Sequence, residues 1–194
     1  MKIGFIGAGH IGKALAKKFV QAGYPVIISN SRGVKSLQPL VEELGDLASA
    51  GTSEDAANAD LVVLAVMWDQ TSVALEQVKK QLAGKILIDA TNNMNSSPSD
   101  KPTSMVISEL IPESKVVKAF NTLMAPTLDA DPAVNDGKRV IFFSGDHSSA
   151  KEAVGKIITQ LGFAAVDLGD LKQASPITEF AKAVSTLNLV SYPN

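Results

Sequence analysis

Lys2-Ile3-Gly4-Phe5-Ile6-Gly7-Ala8-Gly9-His10-Ile11-Gly12 follows the first methionine, and how it is read decides the fold. The apolar run Lys2 to Ile6 predicts a buried strand. Residues 10–22 place Ile11, Leu15, Phe19 and Val20 on one stripe, which predicts a helix. Between them Gly7 to Gly12 spell G-x-G-x-x-G. Alone that pattern is weak, because three glycines at this spacing arise by chance. Between a strand and a helix it has a mechanism. Gly7 permits a tight turn, Gly9 lets backbone approach a pyrophosphate, and Gly12 lets the helix pack closely with its N-terminus toward the phosphates. Gly7, Ala8, Gly9, His10, Ile11 and Gly12 are therefore the expected phosphate cradle.

About twenty residues further on, dinucleotide-binding chains that take NAD place an Asp or Glu on the adenosine ribose. Here the second strand, Pro25 to Ser29, runs into Asn30-Ser31-Arg32-Gly33 with no carboxylate. A hydroxyl and a guanidinium suit the reverse ligand, a ribose 2′-phosphate, and the guanidinium plane can also cover adenine. Lys35 adds a point charge. The alternative is a plain polar turn with a solvated arginine. The absent acid favours NADP(H).

Strand and helix patterns alternate along the rest of the chain. A helix starts near Ser36, with Pro39 in its first turn. A short strand spans 47–50, and Thr52 to Asp55 form a capped turn. A strand at Leu61 to Val66, a helix at Gln70 to Leu82 and a strand at Lys85 to Asp89 follow. Asn92 to Thr103 reads as a polar loop. Next come a helix near Ser104 to Ile111 and a strand at Lys115 to Phe120. A loop with Pro126, Pro132 and Gly137 leads to a strand at Arg139 to Phe143. Asp146 is placed to cap a helix from Ser148 to Leu161, and Ala164 to Leu168 is the last strand. A tail helix is expected over Thr178 to Leu189, within about 176–194. The expected fold class is α/β: a Rossmann-type, doubly wound, mostly parallel sheet in a single domain, residues 1–194.

With 18 Lys and Arg against 20 Asp and Glu, the net charge is −2, which gives no footprint for nucleic acid or an anionic membrane. The chain has no cysteine and only His10 and His147, so no metal site is expected. Its longest apolar run, Leu61 to Trp68, is far short of a membrane span. The glycine-broken start does not resemble a signal peptide, so a cytoplasmic location is expected.

The stretches "GFIGAGHIG", "SNSRG", "DLVVLAVMW", "ILIDATNN", "VVKAFNTL", "VIFFSGD" and "LGFAAVDLGDL" together resemble the NADPH-dependent oxidoreductases typified by the reductase of the deazaflavin coenzyme F420. The cytoplasmic domain of the STEAP metalloreductases belongs to the same broader group. The resemblance implies that Ser31 and Arg32 hold the 2′-phosphate and that Val66, Met67 and Trp68 line the cofactor's path. It also implies that Thr91 and Asn92 lie by the nicotinamide, with the backbone near Ala119 and Asn121 meeting the carboxamide. Relatives often carry Ala-Arg-x-x-Glu after "LGDL", where this chain has Ala174-Ser175-Pro176-Ile177.

The function expected from this reading is hydride transfer between NADP(H) and a small-molecule acceptor: a flavin, a deazaflavin of the F420 type, or a comparable planar ring. No residue is expected to act as a catalytic acid. Lys118 reads as a strand-flanking lysine whose stem covers apolar surface, Asp89 orders the turn in "IDATNN", and His147 is solvated. Trp68 either stacks on a ring or packs at the rim. Phe180, Ala181, Val184 and Leu187 recur at helical spacing. A homodimer is expected in which this tail supplies the acceptor's remaining wall. The other readings are an NADP-binding sensor without turnover and a minimal β-hydroxyacid or imine dehydrogenase. The dehydrogenases need a large helical domain, and only about 25 residues follow the last predicted strand.

Overall fold

A computed structural model describes residues 1–95 and 101–193. The predicted loop over 92–103 therefore lies partly outside the described residues. In chain order the elements are β1 (Ile3–Ile6), α1 (His10–Gln21), β2 (Val26–Ser29), α2 (Gln38–Leu44), β3 (Ala48–Ala50), α3 (Ser53–Ala57), β4 (Leu61–Leu64), α4 (Thr71–Leu82) and β5 (Ile86–Asp89). They continue with α5 (Thr103–Leu110), β6 (Lys115–Ala119), α6 (Ala125–Asp129), β7 (Ala133–Val134), β8 (Gly137–Gly145), α7 (Ser148–Gln160), β9 (Ala164–Asp167), α8 (Leu171–Thr178) and β10 (Val190–Ser191).

Six strands run parallel in the order β3-β2-β1-β4-β5-β6. The chain leaves β1 toward one edge and returns at β4 toward the other, so the sheet has a topological switch point between β1 and β4. In such sheets ligands bind beyond the carboxyl ends at that point. β8 lies antiparallel to β6, β9 runs parallel to β8, and β7 and β10 pair with the first residues of β8.

Both faces are covered, as the near-continuous apolar strands require. On one face Leu15 and Phe19 of α1, Leu40 of α2, Leu128 of α6 and Val154 and Ile158 of α7 share one core with Phe5, Ile28, Val63, Val117 and Ile141 of the strands. Phe19 meets Phe5 edge to face at 5.6 Å. On the other, Ala56 of α3, Leu75 and Val78 of α4, Ile107 of α5 and Leu171 of α8 pack on Ile6, Val62 and Leu87. Among the described residues no helix is long and apolar enough to cross a membrane.

Three local expectations need correction. The stretch before β8 is not a plain loop. Pro126, in the first turn of α6, starts a short helix, and β7 folds back on β8. Asp146 does not cap α7. His147 occupies the cap position without a side-chain bond, and Asp146 Oδ1 instead accepts from the Leu171 N–H, 2.9 Å away, at the start of α8. The tail helix over 178–189 is absent. Instead α8 ends at Thr178, two residues after Pro176, and turns lead to β10. Ala181 and Thr186 adopt φ of 59° and 62°, values that no right-handed helix accommodates. The helical spacing of Phe180, Val184 and Leu187 was a coincidence of composition.

Candidate functional site

A cleft of about 1110 Å³ follows the carboxyl edge of the parallel strands. Drug-sized ligands occupy roughly 300–1,000 Å³, so this is space on the scale of a larger ligand. Its lining starts at Asn30, Ser31 and Arg32 after β2 and passes Gly7 to Ile11 after β1. It then takes in Val66 and Met67 after β4, Thr91 and Asn92 after β5, and Asn121 to Pro126 after β6.

The glycine turn is built for close approach. Gly7 has φ of 109°, and a side chain there would lie 2.3 Å from the Ala65 carbonyl oxygen. A side chain at Gly12 would lie 2.2 Å from the Gly7 carbonyl, so α1 can sit against the turn only with glycine at that place. Beside Gly9, by contrast, there is nothing within 4 Å, and Gly9 is the cap residue of the twelve-residue α1. The turn thus presents open backbone and a helix N-terminus to the cleft, a combination suited to phosphate.

At the β2 end the turn is held by its own side chains. Asn30 Oδ1 accepts from the Arg32 N–H at 2.9 Å, Asn30 Nδ2 donates to Ser36 Oγ at 2.9 Å, and Ser36 Oγ donates to the Gly33 carbonyl at 2.7 Å. Asn30 is therefore the organiser of this turn, a role not foreseen from sequence, although Asx turns are common in such stretches. Ser31 and Arg32 line the cleft and are exposed. Among the described residues Arg32 is ion-paired with no carboxylate.

The β6 end is dry by comparison. Lys118 and Asp89 are register partners on β6 and β5 and are 1% and 0% exposed. Lys118 Nζ donates to Asp89 Oδ2 at 3.0 Å, to the Thr91 carbonyl at 2.6 Å and to Thr103 Oγ1 at 3.0 Å. Asp89 Oδ1 accepts from the Thr91 N–H and hydroxyl at 2.8 and 2.7 Å, and Oδ2 accepts from Ser104 Oγ at 2.6 Å. The lysine is not the apolar-stemmed surface residue expected from "VVKAF". Its three protons are all used, and what they fix is the Thr91 turn that lines the cleft. Asp89 orders that turn, as expected.

In front of this pair, Asn92 and Asn121 clasp each other. Asn92 Nδ2 donates to the Asn121 carbonyl at 2.7 Å, and Asn121 Nδ2 donates to Asn92 Oδ1 at 3.1 Å and to the Thr178 carbonyl at 2.8 Å. Phe120, buried with φ of 65°, turns the chain into this clasp. Strain of that kind persists where the surroundings over-determine it. Among the described residues the buried Asn121 Oδ1 has no partner.

The tail reaches the same place. Glu179 Oε1 accepts from the Thr103 N–H at 2.5 Å, at the N-terminus of α5, and the Thr186 N–H donates to the Thr122 carbonyl at 2.8 Å. Phe180, Ser185 and Thr186 thereby line the cleft of their own chain. Sequence reasoning named Phe180 in a tail helix expected to serve a second subunit, and did not single out Ser185 or Thr186.

Of the residues proposed from sequence, Gly7, Ala8, Gly9, His10, Ile11, Asn30, Ser31, Arg32, Val66, Met67, Thr91, Asn92 and Asn121 all line the cleft. Gly12 packs beneath it. Lys35 lies outside the lining in the turn before α2, and Ala119 is buried within β6. Trp68 packs at the rim against the core beneath α3, α4 and α5. His147 is exposed, remote from the cleft. Among the described residues no cluster of three His, Cys, Asp or Glu could hold a metal ion.

A glycine-cradled cleft at the switch point of a parallel sheet defines a dinucleotide-binding domain of the Rossmann type. Residues 2–93 match the family described as "NADP oxidoreductase coenzyme F420-dependent", and the chain belongs to that family. Among solved structures it is similar to the hypothetical protein SMa0349 from Sinorhizobium meliloti. That match is 42% identical with a TM-score of 0.92 and covers 98% of this chain and 96% of the other. A structure from Arthrobacter sp. FB24, assigned to the F420-dependent NADP reductases, is 30% identical with a TM-score of 0.78, covering 90% and 87%. Metalloreductase STEAP3 of Rattus norvegicus is 31% identical over 178 residues, 91% of this chain and 35% of that protein. The chain thus spans about a third of the length of the STEAP relatives it matches.

Proposed function

We propose that this protein is an NADP(H)-dependent oxidoreductase that passes hydride between the nicotinamide and a planar acceptor, a flavin, deazaflavin or comparable ring. The observation that carries the proposal is how titratable groups are distributed along the cleft. Cationic groups, Arg32, Lys13 and Lys17 among them, line the β2 and α1 side. Among the described residues the lining around Val66, Asn92, Asn121 and Thr186 has no Asp, Glu, His, Lys or Arg.

In this reading the open backbone at Gly9 and the first turn of α1 hold the pyrophosphate, and Ser31 and Arg32 hold the 2′-phosphate. Val66, Met67, Thr91 and Asn92 line the nicotinamide half. The unpaired Asn121 Oδ1 is an acceptor suited to a carboxamide NH₂, since leaving such an atom unsatisfied costs about 1–3 kcal/mol. When bound, the dinucleotide supplies a hydride and becomes NADP⁺. An acceptor that takes the hydride with a proton from water is reduced by two electrons.

Reducing a ketone or imine usually requires a positioned proton donor. Lys118 cannot serve, because its protons are committed to Asp89, Thr91 and Thr103. Hydride transfer between two aligned rings depends instead on orientation. Anaerobic incubation with NADPH and a panel of flavins, a deazaflavin and quinones tests this, with oxidation of NADPH by a planar acceptor as the expected result. His10→Ala should keep its single-turnover rate within about tenfold, since loss of a general acid typically costs roughly 100-fold or more. NADPH that binds but is oxidised by none of the panel would point to the sensor reading.

A further inference from the structure

Beyond β4, β5 and β6 three methionines stand exposed on the lining: Met67 at 70%, Met94 at 61% and Met124 at 57%. Exposed apolar side chains gathered in one place mark a binding surface more often than chance placement does. Thioethers are adaptable and make favourable contacts with aromatic rings. The polar groups among them, Asn92, Thr122 and Ser185, are all uncharged. The one carboxylate on α6, Asp129, sits at that helix's last residue and is paired with Lys17 of α1 at 3.0 Å.

We propose that this methionine rim seats the uncharged ring of the acceptor, and that the protein recognises the ring but not any phosphate attached to it. The inference rests on the reading of the cleft as an NADP(H) site and narrows what the acceptor end accepts. A phosphate held by even one charged hydrogen bond would separate phosphorylated from unphosphorylated flavins by about 10- to 150-fold in affinity. Among the described residues the cation nearest this end, Lys17, is committed to Asp129 of α6 at 3.0 Å.

The test is flavin binding to the full chain saturated with NADP⁺, measured by calorimetry, with NADP⁺ affinity measured separately. Riboflavin, FMN and FAD are expected to bind within about threefold of one another. Their affinities should change little between low and roughly 0.5 M salt, because the flavin itself would make no ion pair to be screened. Met94→Glu and Met124→Glu, both at exposed positions, should each weaken riboflavin by about tenfold or more while NADP⁺ affinity stays within about twofold; Met124→Leu should bind normally. A tenfold or greater preference for FMN or FAD overturns the proposal. So does riboflavin affinity unmoved by either glutamate, or a change confined to the oligomeric state. Failure of the unaltered protein to bind NADP⁺ would remove the cofactor reading itself, and this proposal with it.

Discussion

The two ends of the cleft are built on opposite principles. At the β2 end a contiguous turn, Asn30 to Gly33, is tied by its own side chains and leaves Ser31 and Arg32 exposed. At the β6 end Asp89, Thr91, Asn92, Thr103, Asn121, Thr178 and Glu179, far apart in sequence, are joined by buried and part-buried hydrogen bonds around Lys118. One end leaves its charge exposed on the cleft, and the other uses its charge internally. A cation in the first place should affect binding and not stability; in the second, the reverse.

The largest effect should come from Lys118→Ala. Removing one partner of a buried ion pair typically costs about 3–5 kcal/mol, because Asp89, 0% exposed, is left without its cation. Urea unfolding should register that loss, while Arg32→Ala should stay within about 0.5 kcal/mol of the unaltered protein. Equal losses in the two variants would erase the distinction.

Glu179→Ala should have the next largest effect. It removes a charged hydrogen bond at the start of α5, worth about 1.5–3 kcal/mol, and with it one of the ties that hold the tail over the cleft. Hydrogen exchange should quicken over 179–187 while α1 and β1 keep their protection. If protection over 179–187 is unchanged, the tail is held by something other than this bond.

The smallest effect lies beside the β2 end, where Ser53 of α3 lines the cleft. Thr52 and Asp55 form a reciprocal capping box, and Thr52→Ala should cost about 1 kcal/mol. The Asp55 carboxyl is held below the usual range by the Thr52 N–H and next by the Thr52 hydroxyl. Its stabilising contribution is complete above the unfolded value, about 3.9, and fades as pH falls through the lower folded value. The gap between the two proteins should therefore narrow at low pH without closing, because the Thr52 hydroxyl still accepts from the Asp55 N–H; a gap that does not change with pH would argue against the box.

The same contrast explains what the sequence disclosed. The strand-and-helix march, the glycine turn and the place of Ser31 and Arg32 on the cleft were legible because their determinants are local: apolar periodicity, three glycines, and a missing carboxylate; the tie through Asn30 was not, and Lys35 lies outside the lining. Lys118 was misread because a lysine within "VVKAF" is ordinarily drawn to water. The signal that could have found its role was the register that sets Asp89 of "IDATN" beside Lys118 of "KAFN" on neighbouring strands. The tail was misread because residue spacing cannot reveal that Ala181 and Thr186 take positive φ. Nor could spacing show that Thr178 and Glu179 are fastened to Asn121 and Thr103.

The central claim is that the exposed arginine after β2 exists for a ribose 2′-phosphate. Titrating the unaltered protein and Arg32→Ala with NADPH and with NADH tests it most directly. A hydrogen bond to a charged group is worth roughly 1.5–3 kcal/mol, so NADPH should bind the variant about 10- to 150-fold more weakly while NADH changes little. Equal losses for both cofactors, or none for NADPH, would contradict the account.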